Sequence, residues 1–328
     1  QSVCWKKCDC LILDEICSLE YQLFSKTTMK GKMINNINKF ISLVKEAKKV
    51  ICLDADLSVK QIKNINSIRQ KPSKTIFNTY KTKTKSKINL YLDQQNMIDN
   101  IIKRVEKENI IIGTTRNKNF TETLKQLIIN KYPNKKVLVI NSITARRKIV
   151  SDIIKDVEDE NLGWHNYNVV IYTPTIQAGV SFNRKHFSRF YGFFSNHMTV
   201  NATRQMTDRC REFSKNEYNY NISTIGSSSL PSNRKEFELY LSRRRNFNNS
   251  GIEIPEIIPY RETMAGNIIY PLKDQVYEMW LGLELQKIRD RNMFIYNFLK
   301  EEYRTGVKKI KVIDKKGGKN KKKKNNKI

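Results

Sequence analysis

The sequence predicts an α/β fold built on parallel sheets, followed by a helical extension. Three observations carry this expectation. Short unbroken apolar runs recur through the first two thirds of the chain, each is followed by a polar turn and a stretch with helical spacing, and the alternation stops near Ser227. Unbroken runs of about four to six apolar residues suit strands buried on both faces of a sheet. Strand alternating with helix implies βαβ units. A length of 328 residues fits roughly two globular units at about 150 residues each.

In order, the predicted strands are Cys10–Leu13, Val50–Leu53, Ile110–Ile112, Val137–Ile140, Val169–Tyr172 and Arg189–Phe194. Between them, Met33, Ile34, Ile37, Phe40, Ile41 and Val44 keep helical spacing. Met97, Ile98, Ile101, Ile102 and Val105 do the same, as do Phe120, Leu124, Leu127 and Ile128. The lysine-rich stretches around residues 70–90 mark one boundary, and Ser227–Asn233 marks another. Beyond it, helices are predicted near Lys235–Arg245 and Gln275–Tyr303. Lys308–Ile328 carries eleven Lys against Asp314 alone, a self-repelling block that should be a disordered arm.

Composition narrows the function. Lys and Arg number 61 against 32 Asp and Glu, a formal net charge of +29. Such an excess favours a polyanion partner, with nucleic acid first and an anionic membrane surface second. No run of about 18 apolar residues occurs, which argues against a membrane-spanning helix. No apolar leader with a small-residue cleavage site opens the chain. The six cysteines make no disulfide framework, and several lie in apolar runs, which reads as reduced, intracellular packing. Cys4-x3-Cys8-x-Cys10 lacks the second ligand pair that a zinc site needs, so buried thiols are the expectation.

Four segments carry candidate chemistry. Asp14-Glu15 follows the first strand, where a parallel sheet binds ligands. Two carboxylates there suit Mg²⁺ and a water aimed at a terminal phosphate, or equally a solvated turn. Leu53–Ser58 follows the second strand and could link a nucleotide site to another surface, or cap the next helix through Asp56 or Ser58. Tyr172–Phe182 offers hydroxyls and a glycine at a strand exit, suited to phosphate oxygens or to a capped turn. Gln205-Met206-Thr207-Asp208-Arg209-Cys210-Arg211 lies on a segment from Thr199 that reads as helical. Its arginines suit a transferring phosphoryl group, or a solvated helix face.

Together, in this order, the four resemble the motifs of superfamily-2 helicases: Asp14-Glu15 motif II, Leu53–Ser58 motif III, Tyr172–Phe182 motif V and Gln205–Arg211 motif VI. More closely they resemble the herpesvirus-type replication origin-binding proteins, DNA-dependent ATPases and helicases. Thr173–Phe182 and the Gln-x-x-x-Arg-x-Arg arrangement ending at Arg211 are the most telling, over a likeness spanning about residues 8–225. Thr114-Thr115-Arg116 resembles the motif opening the second RecA-like lobe.

The resemblance implies a partial RecA-like lobe over 1–85, a second lobe over 86–226, a helical extension over 227–307 and the Lys-rich tail over 308–328. It implies ATP and Mg²⁺ as cofactors, with nucleotide between the lobes. Asp14 would hold Mg²⁺, Asp14 and Glu15 would activate water, and Arg209 and Arg211 would act in catalysis. Gln205, Arg209 and Gly179 would contact nucleotide. Thr114, Thr115, Arg116, Thr173, Thr175 and Gly179 would contact DNA, single-stranded or duplex, at a replication origin. Other replication proteins become possible partners, and a membrane does not. The tail also resembles a nuclear localisation signal.

Two departures stand out. Asp208 occupies a position where these helicases usually carry Gly, which sets a negative charge beside the arginines. No Gly-x-x-x-x-Gly-Lys-Ser/Thr phosphate loop occurs, and neither Gly31-Lys32 nor Gly318-Lys319 has the required context. With Gln1 first, the simplest expectation is that the first half of lobe one is absent and that these residues alone hydrolyse ATP poorly. The alternative function is a non-catalytic nucleic-acid-binding module derived from such a helicase. No helix-turn-helix or zinc-finger signature supplies base reading.

Overall fold

The structure is a computed structural model that describes residues 8–176, 180–224, 226, 228–242, 255, 258, 261–262, 268–269 and 274–314. In chain order it begins with β1 (Cys10–Asp14), α1 (Ile16–Leu23), α2 (Lys26–Met29), α3 (Met33–Glu46), β2 (Lys49–Leu53) and α4 (Val59–Arg69). There follow β3 (Lys87–Tyr91), α5 (Gln94–Val105), β4 (Ile110–Thr114), α6 (Lys118–Lys131), β5 (Val137–Ile140), α7 (Lys148–Lys155) and β6 (Val169–Tyr172). Next come β7 (Arg189–Ser195), α8 (Val200–Thr207), β8 (Glu217–Ser223), α9 (Arg234–Leu241), β9 (Arg261–Glu262) and β10 (Ile268–Ile269). The last are α10 (Gln275–Asn292), α11 (Phe294–Arg304) and β11 (Lys309–Ile313). The fold class is the predicted α/β with parallel sheets.

The chain divides into two compact units, residues 1–78 with 227–292 and residues 79–226 with 293–328. The extension expected over 227–307 is therefore not one body. The single helix expected over Gln275–Tyr303 breaks at Met293 into α10 and α11. Their apolar faces serve different cores. Tyr277, Trp280, Leu281 and Ile288 of α10 pack with Ile37, Phe40, Val44 and Ile65, whereas Phe294 and Phe298 of α11 pack with Tyr218 and Tyr220.

In the first unit β1 and β2 pair in parallel, Cys10 opposite Lys49 through Asp14 opposite Leu53. Helices α1, α3, α4, α9 and α10 contribute to its core. Only one face of this pair is covered. Leu13 is buried, but Ile12 is 60% exposed and Leu53 50% exposed. The expectation of strands buried on both faces fails here, because among the described residues no apolar layer covers the second face.

The second unit is a seven-stranded, all-parallel sheet in the order β11-β3-β8-β7-β4-β6-β5. Both faces are covered, and side chains alternate between two cores as strand geometry requires. Ile111, Val170 and Tyr172 enter one, with Phe182, Phe187, Phe190 and Trp164; Ile110, Ile112, Val169 and Ile171 enter the other, with Met97, Ile101, Leu124 and Ile128. Gly113 and Gly192 are register partners in β4 and β7. A Cβ on Gly192 would stand 2.5 Å from the Phe194 ring, so the aromatic packing requires glycine there.

Two sheet strands, β3 and β8, lie in segments where no strand was predicted, and β11 lies in the expected disordered tail. Lys309–Ile313 instead pairs with β3 as an edge strand, its lysines exposed to solvent. The rest of the tail, from residue 315, lies outside the described residues, as does the end of the helix expected near Lys235–Arg245, from residue 243. Among the described residues no helix is long and apolar enough to cross a membrane.

Candidate nucleotide and nucleic-acid sites

Asp14 ends β1 and Glu15 forms the turn into α1, at the carboxyl end of a parallel strand. Glu15 adopts a left-handed backbone, φ 50° and ψ 51°, a conformation that costs a non-glycine residue energy and that clusters at functional sites. Neighbouring residues hold this turn in place. The Cys17 amide donates to Asp54 Oδ2 at 2.8 Å, and Asp54 Oδ1 accepts from the Asp56 amide at 2.7 Å. The carboxylate at the end of β2 thus caps the first turn of α1. Further along α1, buried Glu20 accepts from Gln61 at 3.1 Å and Asn64 at 3.0 Å, both on α4. The segment predicted to link a nucleotide site to another surface therefore anchors the carboxylate turn. The capping alternative holds too, since the Ser58 side chain accepts from the Lys60 amide at the start of α4.

The carboxylates suit Mg²⁺. Asp14 is exposed and accepts from the Glu15 amide at 3.1 Å, and Glu15 Oε2 is a buried oxygen with no hydrogen-bond partner. Mg²⁺ commonly takes one or two carboxylates and completes its shell with water and phosphate oxygens. No group of three or more His, Cys, Asp or Glu gathers into a metal cage among the described residues. Cys4 lies outside those residues; Cys10 is exposed and Cys8 half-buried, so of the described cysteines only Cys210 is the fully buried thiol expected.

In the second unit, the segments resembling motifs V and VI are drawn together. Phe182 and Cys210 form an isolated parallel bridge, with the Phe182 amide donating to Arg209 O at 2.7 Å and the Arg211 amide to Phe182 O at 3.0 Å. Arg209 Nη1 donates to Val180 O at 3.2 Å, and Arg211 is exposed. Helix α8, capped by Thr199, ends at Thr207, so Arg209 and Arg211 sit on a loop and not on the predicted helix. Gln205 is half-buried in its last turn. Gln177, Ala178 and Gly179 lie outside the described residues, so the roles expected of Gly179 have no structural account.

Thr114 ends β4 and Thr115-Arg116 follow it, while Thr173–Thr175 follow the adjacent strand β6, at the carboxyl edge of the sheet. All four hydroxyls have partners: Thr115 Oγ1 accepts from the Ser195 amide at 2.9 Å, and Thr175 Oγ1 lies 2.9 Å from Thr173 Oγ1. Thr114 is buried and donates to Phe193 O at 3.1 Å, and Thr173 is buried and donates to Ile140 O at 3.3 Å. Both hydroxyls are held within the fold at this edge. Thr115, Arg116 and Thr175 remain half-exposed there.

Sequence reasoning missed the charged centre beneath the arginine loop. Lys83, read as part of a lysine-rich linker, is buried, and its ammonium meets Asp208 at 2.8 Å and both Glu302 oxygens at 3.1 and 3.2 Å. It also lies 3.3 Å from Thr207 Oγ1 and 4.7 Å from the Tyr218 ring centre. Burial would raise the Asp208 carboxyl, but Lys83 outweighs it and holds the group below its ordinary range. Burial dominates at Glu302 and pushes its carboxyl up. The departure at Asp208 is thus compensated: its charge is spent on Lys83, not on the neighbouring arginines. No spacing signal could reveal this, because Lys83 and Glu302 are 219 residues apart. Within the Lys81–Lys87 run only the structure singles out Lys83 and Ser86, the two buried residues.

Both units thus have a parallel α/β architecture, with a carboxylate turn after a strand in the first and an arginine loop packed beside a strand exit in the second. Within that class the chain belongs to the origin of replication binding protein family, which it matches over residues 2–217. It is 26% identical over 303 residues to a "Putative helicase/primase complex protein" of African swine fever virus, covering 92% of this chain and 28% of that protein. It is 26% identical over 192 residues to the replication origin-binding protein of human herpesvirus 7, covering 55% of this chain and 22% of the relative. The chain therefore spans little more than a quarter of the first of these relatives. Among solved structures, S. cerevisiae dbp5 bound to gle1 and ip6 overlaps 86% of this chain and 62% of its own at 10% identity, with a TM-score of 0.43.

Proposed function

We propose that this chain carries the motor elements of an origin-binding, helicase-like DNA replication protein, with ATP and Mg²⁺ as cofactors and DNA as the track. The carboxylate turn is the observation that carries the reading. Asp14 and Glu15 stand at a strand's carboxyl end, in a left-handed turn anchored by Asp54, with one Glu15 oxygen unpaired. In this reading Asp14 holds Mg²⁺, which would screen the charge on phosphate oxygens, and Glu15 orients and deprotonates the attacking water. Arg209 and Arg211 act on phosphate, and Gln205 contacts nucleotide. Thr115, Arg116 and Thr175 supply contacts to the DNA backbone, and other replication proteins are its working partners. The relatives' names support the replication setting.

A phosphate loop is absent from these 328 residues. Mixed with ATP, Mg²⁺ and DNA, the chain alone should release phosphate only weakly. In a chain that also carries such a loop, Glu15→Gln should lower hydrolysis by about a hundredfold or more and leave nucleotide binding in place. Unchanged hydrolysis in that variant would remove Glu15 from the reaction. A second reading is a non-catalytic DNA-binding module derived from such a helicase. Calorimetric titration with ATP·Mg²⁺ separates the two, since the module is indifferent to nucleotide.

A further inference from the structure

We infer that the second unit carries a binding surface for single-stranded nucleic acid on α11, which lies outside the residues that match the family, and the adjoining segment 80–85. The inference rests on the proposal that the protein works on DNA and adds to it a place and a strand type.

Helix α11 has two unlike faces. Phe294, Phe298 and Glu302, spaced four apart, are buried. Tyr296, Lys300 and Tyr303, at i, i+4 and i+7, share the outer face, where the two tyrosines are 59% and 65% exposed. Folding gives no reason for two aromatic rings on the solvent side of an amphipathic helix. Lys300 Nζ lies 6.0 Å from the Tyr296 ring centre, so cation and ring occupy one patch. The nearest carboxylate on the helix, Glu301, is engaged by Arg304 at 2.8 Å.

The segment 80–85 is fastened to the end of this helix. The Lys83 amide donates to Thr305 O at 2.9 Å, and Gly306 packs so closely that an added Cβ would stand 3.0 Å from Lys81 Cβ. Beneath, the Lys83–Glu302 ion pair pins the two segments together. The segment 80–85 also exposes a ring and two lysines: Tyr80 is 78% exposed, and Lys81 and Lys85 are exposed.

Rings alternating with lysines match the chemistry of an unpaired strand. Lysines meet phosphates, and each base stacks on a ring, a contact open only to bases that are not already paired and stacked. Tyr296 and Tyr303 are separated by about 10 Å of helix rise, a span of two or three nucleotides. Duplex DNA would use the lysines alone, and an acidic protein surface would have no use for ring faces.

The test is fluorescence anisotropy of the full chain with a labelled oligo(dT) and with a duplex of equal length, across a salt series. Tyr296→Ala with Tyr303→Ala should weaken oligo(dT) binding about tenfold or more, persist at salt that screens the lysines, and leave duplex binding unchanged. Phenylalanine at both positions should restore it. Lys85→Gln with Lys300→Gln should reduce the salt slope for oligo(dT) by about 1.4. The inference is overturned if the alanine pair binds oligo(dT) like the wild type, or if it loses both ligands equally. A wild type that binds duplex but not oligo(dT) overturns the surface and leaves the DNA reading standing. A wild type that binds neither overturns both.

Discussion

Strands β1 and β2 are as apolar in sequence as β4 and β6, yet the two pairs live in different surroundings. In the second unit, Ile110–Ile112 and Val169–Tyr172 are sealed on both faces by helices and aromatic rings. In the first, Ile12, Ile51 and Leu53 face solvent while Leu13 is buried. The same contrast marks two lysines, buried Lys83 and half-buried Lys60, whose ammonium groups are both shielded from solvent. Lys83 has two carboxylates and a threonine hydroxyl within hydrogen-bond reach, whereas Lys60 Nζ is 3.9 Å from Glu20 Oε2 and has no hydrogen-bond partner. Burial holds the Lys60 ammonium down at about 8, with Glu20 offsetting only part of that. An apolar run or a buried charge therefore stabilises its unit only as far as the neighbouring layers complete it.

Of the three tryptophans, Trp280 is buried in the first unit and Trp164 in the second, so variants that keep one of these and replace the others with Phe let each unit be followed separately in urea unfolding. The largest expected effect is Lys83→Met, which strands two carboxylates and should cost the second unit about 3–5 kcal/mol, with Glu302→Gln recovering part of the loss. Lys60→Met should be neutral or mildly stabilising in the first unit, because Glu20 keeps its two amide donors. Equal losses from the two lysine variants would break the comparison. Next, Ile112→Ala should cost about 3 kcal/mol, while Ile12→Ala should cost less than about 1 kcal/mol. A large loss at Ile12 would mean that its face is covered in solution.

Acid should also act on the second unit. Burial alone would raise Glu108, but hydrogen bonds from Arg189, Lys215 and Ser188 outweigh it and hold the carboxyl down at about 2. A depressed carboxylate stabilises the fold above its ordinary pKa and loses that contribution as pH falls. The Trp164 signal should therefore show about 2 kcal/mol of stability draining away between about pH 5 and pH 2, an acid limb that Glu108→Gln flattens. The smallest effect is expected from Ser58→Ala, which removes the cap of α4 and should cost the first unit about 1 kcal/mol, read from Trp280.

Much of the fold was legible in the sequence, because side-chain period reports directly on which face of an element is buried. All six predicted apolar runs became strands, and the helices through Met33, Met97 and Phe120 formed where their spacing placed them. Strands β3, β8 and β11 escaped notice because Lys87–Tyr91, Glu217–Ser223 and Lys309–Ile313 mix polar or charged residues with apolar ones. Asn89 and Asn219, for example, hydrogen-bond to each other at 2.9 Å inside the sheet, a partnership that makes two polar residues acceptable in strands.

The sequence by itself determined the class of the fold, the order of the motif-like segments and the placement of Asp14-Glu15 at a strand's end, since each depends on residues close together in the chain. Tertiary structure alone decided that Asp54 grips the carboxylate turn, that Lys83 neutralises Asp208, that α10 and α11 serve different cores and that Thr114 and Thr173 turn inward. Those outcomes depend on which groups meet across tens to hundreds of residues, and neither composition nor periodicity carries that information.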